Sequence, residues 1–289
     1  NDEQYGGIGV AVADHPAGPF KDALGRPLID KIVNGAQPID QFVFKDDDGT
    51  YYMYCSYEFF GDTPDQGGHR EALFVSQADN PLGPFGQEKQ ILHPFSIDSQ
   101  IVQNESGLYL FYSTNTFEGD RIGTYIVVDK MLDPYTPAGH PVPVVVPTLD
   151  EEIFRRDRYK KGQHWHTIEG ACYFREGDWQ YVMYSGNCYL QPTYYIGYAR
   201  AKTDETDLTK IKFEKVPDDH TYAPVIRAND WEEGTGHHSV IKKDGVWYAV
   251  YHARNVEDDG FEGDRRNARI CRLEVKDGTI TAHRYPDHI

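Results

Sequence analysis

Four segments of the chain repeat one pattern, in which a turn containing glycine is followed by aromatic residues and a tyrosine. They are DDDGTYYMYCS (Asp46–Ser56), NESGLYLFYST (Asn104–Thr114), EGDWQYVMYSG (Glu176–Gly186) and KDGVWYAVYHA (Lys243–Ala253). Polar residues and glycine between two apolar runs predict a β-hairpin. The turn glycines are Gly49, Gly107, Gly177 and Gly245, so the hairpins recur at intervals of 58, 70 and 68 residues. Intervals of this size indicate a repeat architecture.

A further strand-like segment follows each hairpin. These segments are Leu73–Ala78, Arg121–Val128, Tyr194–Ala201 and Asn267–Val275. Each repeat therefore has about four strands, which is typical of a β-propeller blade. Helical periodicity is poor nearly everywhere, and no linker composition divides the chain. We predict an all-β fold, with residues 1–289 forming a single five-bladed β-propeller.

The fifth blade is predicted from a second pair of matching segments. IGVAVADHPAGPF (Ile8–Phe20) resembles LFVSQADNPLGPF (Leu73–Phe85), which is the outer part of a complete repeat. A full apolar strand pair precedes the second segment, whereas only seven residues precede the first. The sequence therefore predicts a first blade whose inner hairpin is missing from these residues.

A polar residue stands near a fixed offset before each turn glycine. Asp40 and Asp98 lie nine residues before their glycines, and Glu169 and His237 lie eight residues before theirs. The innermost strand of each propeller blade lines the axis, so we expect these four side chains to meet there. Carboxylates in a concave pocket suit hydrolysis of a glycosidic bond, which needs an acid for the leaving oxygen. The alternative is that these residues cap turns.

Two other interpretations concern QHWHTIEG (Gln163–Gly170). His164, His166 and Glu169 could bind zinc, although Glu169 has the opposite strand parity to the histidines. We favour a pocket lining that includes His166, with Trp165 as a platform for stacking on a sugar. The alternative for Trp165 is ordinary core packing. Of the adjacent His237 and His238, we expect one to face the axis and the other to face the core of the blade.

The composition restricts the class of partner. The formal net charge of −17 disfavours nucleic acid and favours a neutral substrate. No apolar run reaches the roughly 18 residues of a membrane span, so no membrane partner is expected. None of the four cysteines forms a Cys-x-x-Cys pair, which favours buried free thiols.

At these residues the sequence resembles glycoside hydrolase family 43. The matching pieces are IGVAVADHPAGPF, IDQFVFKDDDG, SIDSQIV, TIEGACYF and GTGHHSVIKKDGVWYAVYHAR, in that order along the chain. The resemblance implies a five-bladed propeller that hydrolyses glycosides with inversion, using three acidic residues. It makes Glu169 the general acid and Asp98 the residue that orients the acid and tunes its pKa. It places Asp40 against substrate and His237 beside an axial calcium ion held largely through water.

The resemblance also identifies what is missing. The family's general base is an aspartate on the first inner strand, which would precede Asn1, and Asp2 is a poor substitute. The base then comes from residues not shown or from a neighbouring chain. A homo-oligomer in which another copy covers the unpaired edge is therefore an alternative, as is a disabled propeller that only binds sugars.

Within the family, HWHTIEGACYF, YVMYSGNCY and GTGHHSV look most like intracellular α-L-arabinofuranosidases acting on arabino-oligosaccharides. This likeness predicts a cytoplasmic exo-acting enzyme, with arabinose- or xylose-containing oligosaccharides as partners. β-Xylosidase is the near alternative, because the two sugars offer similar hydroxyl patterns to one pocket. Asn187 and Arg254 are further predicted substrate contacts. Phe59, Phe60 and Asn115 are additional pocket candidates.

Overall fold

A computed structural model describes residues 7–16, 18–29, 38–58, 71–257 and 265–285. Phe59 and Phe60 lie outside these described residues. Among the described residues the regular structure consists of β-strands and two 3₁₀ turns, with no α-helix. The all-β prediction is therefore confirmed. The same residues include no helix long and apolar enough to cross a membrane.

The chain divides into two compact units, the first being residues 1–114 and 127–142 and the second residues 115–126 and 143–289. The strands that begin in the first unit, together with β9, are β1 (Ala11–Val12), β2 (Lys21–Asp22), β3 (Ile39–Lys45), β4 (Tyr51–Glu58), β5 (Glu71–Ala78), β6 (Gly86–Gln90), β7 (Ile97–Asn104), β8 (Gly107–Thr116), β9 (Gly123–Asp133), β10 (Thr136–Pro137) and β11 (Val142–Val145). The first four residues of β9 belong to the second unit, and the remainder belongs to the first.

The remaining strands all lie in the second unit. They are β12 (Ile153–Arg155), β13 (Trp165–Glu176), β14 (Trp179–Gly186), β15 (Tyr195–Lys202), β16 (Glu214–Lys215), β17 (Glu232–Lys243), β18 (Val246–Asn255), β19 (Asn267–Lys276) and β20 (Thr279–His283). The 3₁₀ turns are Asp150–Glu152 and Leu208–Lys210.

All four predicted hairpins are present. They are β3–β4, β7–β8, β13–β14 and β17–β18, and each continues into a third antiparallel strand. Two four-stranded meanders are isolated sheets, with orders β3-β4-β5-β6 and β17-β18-β19-β20. In the second unit β13-β14-β15-β16 forms a third meander of the same order. The predicted repeat of about four strands is therefore confirmed in these sheets.

The segment Ile8–Phe20 contributes to a sheet of only two strands. Ala11 pairs with Asp22 and Val12 pairs with Lys21. Ile8 forms a bridge to Ile29, and both side chains pack into the core of the first unit. This part of the chain is therefore anchored by its apolar residues, while the strands themselves are exposed.

Each unit has its own apolar core. In the first unit Ile8, Ile29, Met53, Cys55, Tyr57, Ala72 and Phe74 form one buried cluster. In the second unit a larger cluster joins the inner faces of two meanders, with Phe174, Tyr181, Met183, Tyr198, Tyr251 and Leu273 among its members. All four cysteines are buried and free, as predicted.

Candidate functional site

The inner strand of each hairpin carries a β-bulge at the position of the predicted site residues. The strand register shifts between Ile39 and Phe42, Ile97 and Gln100, Glu169 and Cys172, and Gly236 and Ser239. The first bulged residue of each strand has a positive φ, and these residues are Asp40 (52°), Asp98 (60°), Gly170 (64°) and His237 (44°). Bulges re-aim side chains, and left-handed non-glycine residues cluster at functional sites. The recurring bulge therefore marks one position in each repeat as a candidate functional position.

The bulge positions show that the four polar residues are not all structurally equivalent, although the sequence pattern aligned them. Asp40, Asp98 and His237 occupy the same bulge position, but in β13 that position is Gly170, and Glu169 lies one residue earlier. The distance to the turn glycine gave a misleading alignment, because the glycine has a different place in each turn. Gly177 follows directly after the last paired residue, Glu176, whereas in the β17–β18 hairpin Asp244 precedes the turn glycine.

In the first unit, two of the predicted acids lie close together. A carboxylate oxygen of Asp40 lies within 4.8 Å of one of Asp98. Asp98 is buried, and the Ser113 hydroxyl donates a hydrogen bond of 3.3 Å to its Oδ2. Two carboxylates at this separation repel each other when both are ionised, so the pair is suited to hold a proton or a cation. Calcium prefers such oxygen ligands, and the calcium assignment stays a prediction.

In the second unit, Glu169 is half-buried on β13, directly opposite Ser185 of β14. The Tyr194 hydroxyl donates a 2.8 Å hydrogen bond to Glu169 Oε1. The Ser185 hydroxyl accepts a 2.8 Å hydrogen bond from the His237 backbone N–H. Glu169 is thus a carboxyl group with one oxygen fixed by a neutral donor. Sequence reasoning missed both Tyr194 and Ser185, because their partners are distant in the chain.

Two buried histidines of the second unit, His238 and His252, are neutral. Burial lowers the pKa of His238 to about 3 and that of His252 to about 2. The His252 ring stacks on Tyr194, with ring centroids 5.6 Å apart and an interplanar angle of 13°. His238 is buried, as predicted for one of the two adjacent histidines, whereas His237 is partly exposed. The metal role of His237 stays a prediction.

Asn187 and Arg254 both shape the loop that follows β14. Asn187 Nδ2 donates to the Glu151 carbonyl at 2.8 Å, and its Oδ1 accepts from the Cys188 N–H. Arg254 is buried, and its guanidinium donates to the Tyr189 carbonyl at 3.0 Å. The same guanidinium fills the space that a side chain at residue 234 would occupy. These contacts position the loop leading to Tyr194, and the predicted sugar contacts of Asn187 and Arg254 stay predictions.

Trp165 packs in the protein interior instead of forming a platform. Its side chain is fully buried, with the Arg158 guanidinium 4.6 Å from the ring centroid and the Phe117 ring centroid 5.4 Å away. The sugar-stacking prediction for Trp165 is therefore corrected to the core-packing alternative, because no face of the ring reaches solvent.

His166 is also buried, with Nε2 2.9 Å from Arg121 Nη1 and Nδ1 3.3 Å from the Ile122 carbonyl. Because Arg121 can only donate, Nε2 accepts and the proton lies on Nδ1. Burial lowers the pKa of His166 and keeps it neutral. Arg121 also pairs with Asp150 at 2.8 Å, so His166 supports the position of the Arg121 guanidinium. This orientation leaves direct substrate contact by His166 a prediction.

The zinc alternative fails on the same geometry. His164 Nδ1 accepts from the Asp157 backbone N–H at 3.1 Å, while His166 is engaged with Arg121. The carboxyl group of Glu169 is hydrogen-bonded to Tyr194. The three predicted ligands therefore have three different partners. Asn115, another pocket candidate, accepts a hydrogen bond from Thr124.

Comparison with known proteins agrees with this fold. The model for Glycosyl hydrolases family 43 matches residues 49–280, so the chain belongs to that family. An arabinoxylan arabinofuranohydrolase of Bacillus subtilis is 30% identical over 151 residues, covering 47% of this chain and 29% of that protein. An extracellular exo-α-(1→5)-L-arabinofuranosidase of Streptomyces avermitilis is 26% identical and covers 83% of this chain and 52% of its own length.

A solved structure, of a thermostable family-43 glycoside hydrolase, superposes with a TM-score of 0.64 at 25% identity. The match covers 91% of this chain and 80% of that one. The chain spans about half, or less, of the length of the two curated relatives described above. The predicted family is thus confirmed.

Proposed function

We propose that the protein is an exo-acting, inverting glycosidase that releases L-arabinofuranose from arabino-oligosaccharides or arabinoxylan fragments. Both relatives described above carry names that specify arabinofuranose removal, which supports the sugar assignment. We propose that the fold is a single five-bladed propeller. The acids that family resemblance assigns are Glu169 and Asp98, with Asp40 against substrate.

The observation that carries the proposal is the hydrogen-bonded carboxyl of Glu169. A general acid needs one oxygen free to carry the proton and a fixed orientation toward the leaving oxygen. The Tyr194 hydroxyl donates to Oε1, and we assign the transferred proton to Oε2. Asp98 is buried and fixed by Ser113, which suits a residue that acts by charge and not by proton transfer.

His237 is the group that we assign to a water-coordinated calcium ion. Its imidazole would contact a bound water. The ion would fix the position of His237, and the chemistry of bond cleavage remains with the carboxyl groups. The residues assigned above do not include the general base, and a homo-oligomer is part of this proposal. We keep a cytoplasmic location as part of this proposal.

The test compares hydrolysis of nitrophenyl α-L-arabinofuranoside with hydrolysis of nitrophenyl β-D-xylopyranoside, using the wild-type chain and Glu169→Gln. We expect turnover of the arabinoside, and we expect Glu169→Gln to lose about 10²–10⁴-fold on an unactivated arabinoside and less on the nitrophenyl substrate. Equal small losses on both substrates would contradict the assignment of Glu169 as the acid.

Two other functions give different outcomes in the same experiment. Turnover of the xyloside alone would identify a β-xylosidase. This outcome is open because the two sugars have similar hydroxyl patterns, so one pocket can accept either of them. Sugar binding by calorimetry without turnover of either substrate would identify a binding propeller that lacks its base.

A further inference from the structure

We propose that Tyr194 is a positioning residue for the acid, fixing the carboxyl of Glu169 and strengthening its interaction as the proton leaves. The inference rests on the proposed function, because it takes Glu169 as the proton donor. The proposed role of Tyr194, which is to hold the carboxyl group of Glu169 in place, differs from the roles assigned to the acidic residues.

The hydroxyl of Tyr194 is placed by a rigid ring. The side chain is fully buried, and its hydroxyl donates to Glu169 Oε1 at 2.8 Å. One face of the ring stacks on His252. The ring edge occupies the space that a side chain at Gly236 would need. Only glycine at residue 236 therefore admits the ring in this position.

The backbone of Tyr194 is fixed as well. Its N–H donates to the Gln191 carbonyl at 3.2 Å, and its carbonyl accepts from the Thr235 hydroxyl at 3.2 Å. A nearby backbone bond from Gly234 N–H to the Pro192 carbonyl ties the same loop to β17. The hydroxyl is thus held from ring and backbone together, which is the preorganisation that an electrostatic contribution to catalysis needs.

The chemistry follows from which oxygen Tyr194 occupies. Glu169 Oε2 carries the proton and transfers it to the glycosidic oxygen as the bond to the anomeric carbon breaks. The bonding electron pair goes to the leaving oxygen, and the anomeric carbon gains a water oxygen whose proton goes to the base. Glu169 becomes a carboxylate while Tyr194 stays neutral. Its hydrogen bond to Oε1 then becomes charge-assisted and stronger, so it stabilises the transition state more than the ground state.

Near Tyr194, His252 and Cys188 are neutral, and the Arg254 guanidinium has other partners. Burial keeps His252 neutral by lowering its pKa to about 2 and raises the pKa of the Cys188 thiol. The Arg254 guanidinium is engaged by the carbonyls of Tyr189 and Leu190. His237 presents its backbone N–H to Ser185 opposite Glu169. The Tyr194 hydroxyl is a neutral donor to Glu169 Oε1.

Tyr195 is a matched control, since it is the next residue and is also a buried tyrosine. Its hydroxyl donates to Glu152 Oε1 at 3.3 Å, away from Glu169. Glu152 is paired with Lys215 at 2.6 Å and has no part in the proposed reaction. Tyr195→Phe therefore removes an equivalent hydroxyl and an equivalent buried hydrogen bond without touching the acid.

The experiment measures pH profiles of kcat/KM for wild type, Tyr194→Phe and Tyr195→Phe, on methyl and nitrophenyl α-L-arabinofuranosides. A hydrogen bond to a carboxylate stabilises its ionised form, so its loss lets the acid keep its proton to higher pH. We expect Tyr194→Phe to move the alkaline limb up by about one pH unit. We also expect a loss of about tenfold on the methyl glycoside and a smaller loss on the nitrophenyl glycoside. Tyr195→Phe should leave the alkaline limb in place.

An unchanged alkaline limb in a folded Tyr194→Phe variant would overturn the inference, and so would equal losses on both substrates. Circular dichroism and thermal unfolding establish folding. If Tyr194→Phe does not fold, Gly236→Ala is the second variant, because it displaces the ring and keeps the hydroxyl. The outcome of Glu169→Gln separates the two claims. Full activity of Glu169→Gln on the methyl glycoside would defeat the proposed function itself, whereas its inactivity with an unshifted Tyr194→Phe defeats only this inference.

Discussion

The bulges of β7 and β13 present their carboxyl groups in different ways. In β7 the acid is the left-handed residue itself, because Asp98 has a φ of 60° and its short side chain is buried against Ser113. In β13 a glycine takes the left-handed position, and the acid is the longer Glu169 one residue earlier, with Tyr194 on one oxygen. Both strands therefore use the same backbone irregularity with different side-chain placement.

The difference in placement suits Asp98 and Glu169 to the two roles that we propose for them, orienting a neighbouring group and donating a proton. A left-handed non-glycine residue costs about 1–2 kcal/mol, and the short Asp98 side chain then has little freedom to move. Such a group can orient a neighbour or tune a charge. Gly170 relieves that cost in β13, and the additional methylene of Glu169 lets its carboxyl extend beyond the strand. A proton donor needs that reach, since it must follow the leaving oxygen.

The largest effect is expected from shortening the acid. Glu169→Asp retracts the carboxyl by about 1.5 Å, the length of one C–C bond, and breaks the contact with Tyr194. Misplacement on this scale costs about 10²-fold in rate, measured as kcat on an unactivated arabinoside. The matched change is Asp98→Asn, which keeps side-chain length and removes charge. A Glu169→Asp variant as fast as wild type would mean that reach is not what distinguishes β13.

The next largest effect is a pH-dependent loss of stability at the second residue of a bulge. This residue is Ser99 in β7, Ala171 in β13 and His238 in β17, so only the last of these three can titrate as a histidine. In the unfolded chain His238 binds a proton once the pH falls below its ordinary pKa of 6.5. In the folded chain it binds a proton only near its pKa of about 3. Lowering the pH from 7 to 5 therefore favours unfolding by about 2 kcal/mol through this residue.

Urea unfolding at pH 7 and pH 5 checks this linkage. His238→Leu should remove about 2 kcal/mol of the acid-induced loss, whatever its cost at pH 7. The control is His140→Leu, an exposed site, which should leave the difference between the two pH values unchanged. An equal pH dependence in His238→Leu and wild type would contradict the neutral buried state of His238.

A smaller effect distinguishes the two serines that stand opposite the bulges. Ser185→Ala leaves the His237 backbone N–H without its acceptor, and a buried unsatisfied donor costs about 1–3 kcal/mol. Ser113→Ala removes only a 3.3 Å bond to Asp98, for which we expect less than about 1 kcal/mol. Thermal unfolding of both variants measures the order, and a larger loss in Ser113→Ala would reverse the comparison.

The smallest effect tests the backbone alone. Gly170→Ala places a side chain at a φ of 64°, where its Cβ would meet Ser185 Oγ at 3.4 Å and otherwise has room. We expect a loss of about 1 kcal/mol. Gly177→Ala, at a φ of 58° in the hairpin turn with open space around it, should lose the same amount. A much larger loss for Gly170→Ala in chemical denaturation would show that the bulge of β13 depends on more than its dihedral angle.

The strands were predictable because their signals are local. Turn glycines and alternating aromatic residues fix each hairpin within about a dozen residues, and all four hairpins formed as predicted. The bulges were not predictable, because register depends on which partner residue is paired across the hairpin. The displacement of Glu169 relative to Asp98 was missed for that reason.

The environment of individual side chains was also beyond the sequence. The Arg158 guanidinium, from a separate loop, covers the Trp165 ring. Arg254 donates hydrogen bonds to carbonyls about 65 residues away in the chain. Neither partner has a periodic or motif signal. The position of Tyr194 over Gly236 depends on the loop before β15 and on β17, which belong to different sheets. The residue that we place beside the acid could therefore be found only from the structure.

The division of β9 between the units has a consequence for how the chain is made. Residues 115–126 belong to the second unit, and residues 127–142 return to the first. During synthesis the first unit cannot be completed until residue 142 has left the ribosome. No single cleavage of the polypeptide can release either unit as a continuous piece. A cut at any one peptide bond should therefore leave residues of one unit on the fragment that carries the other unit.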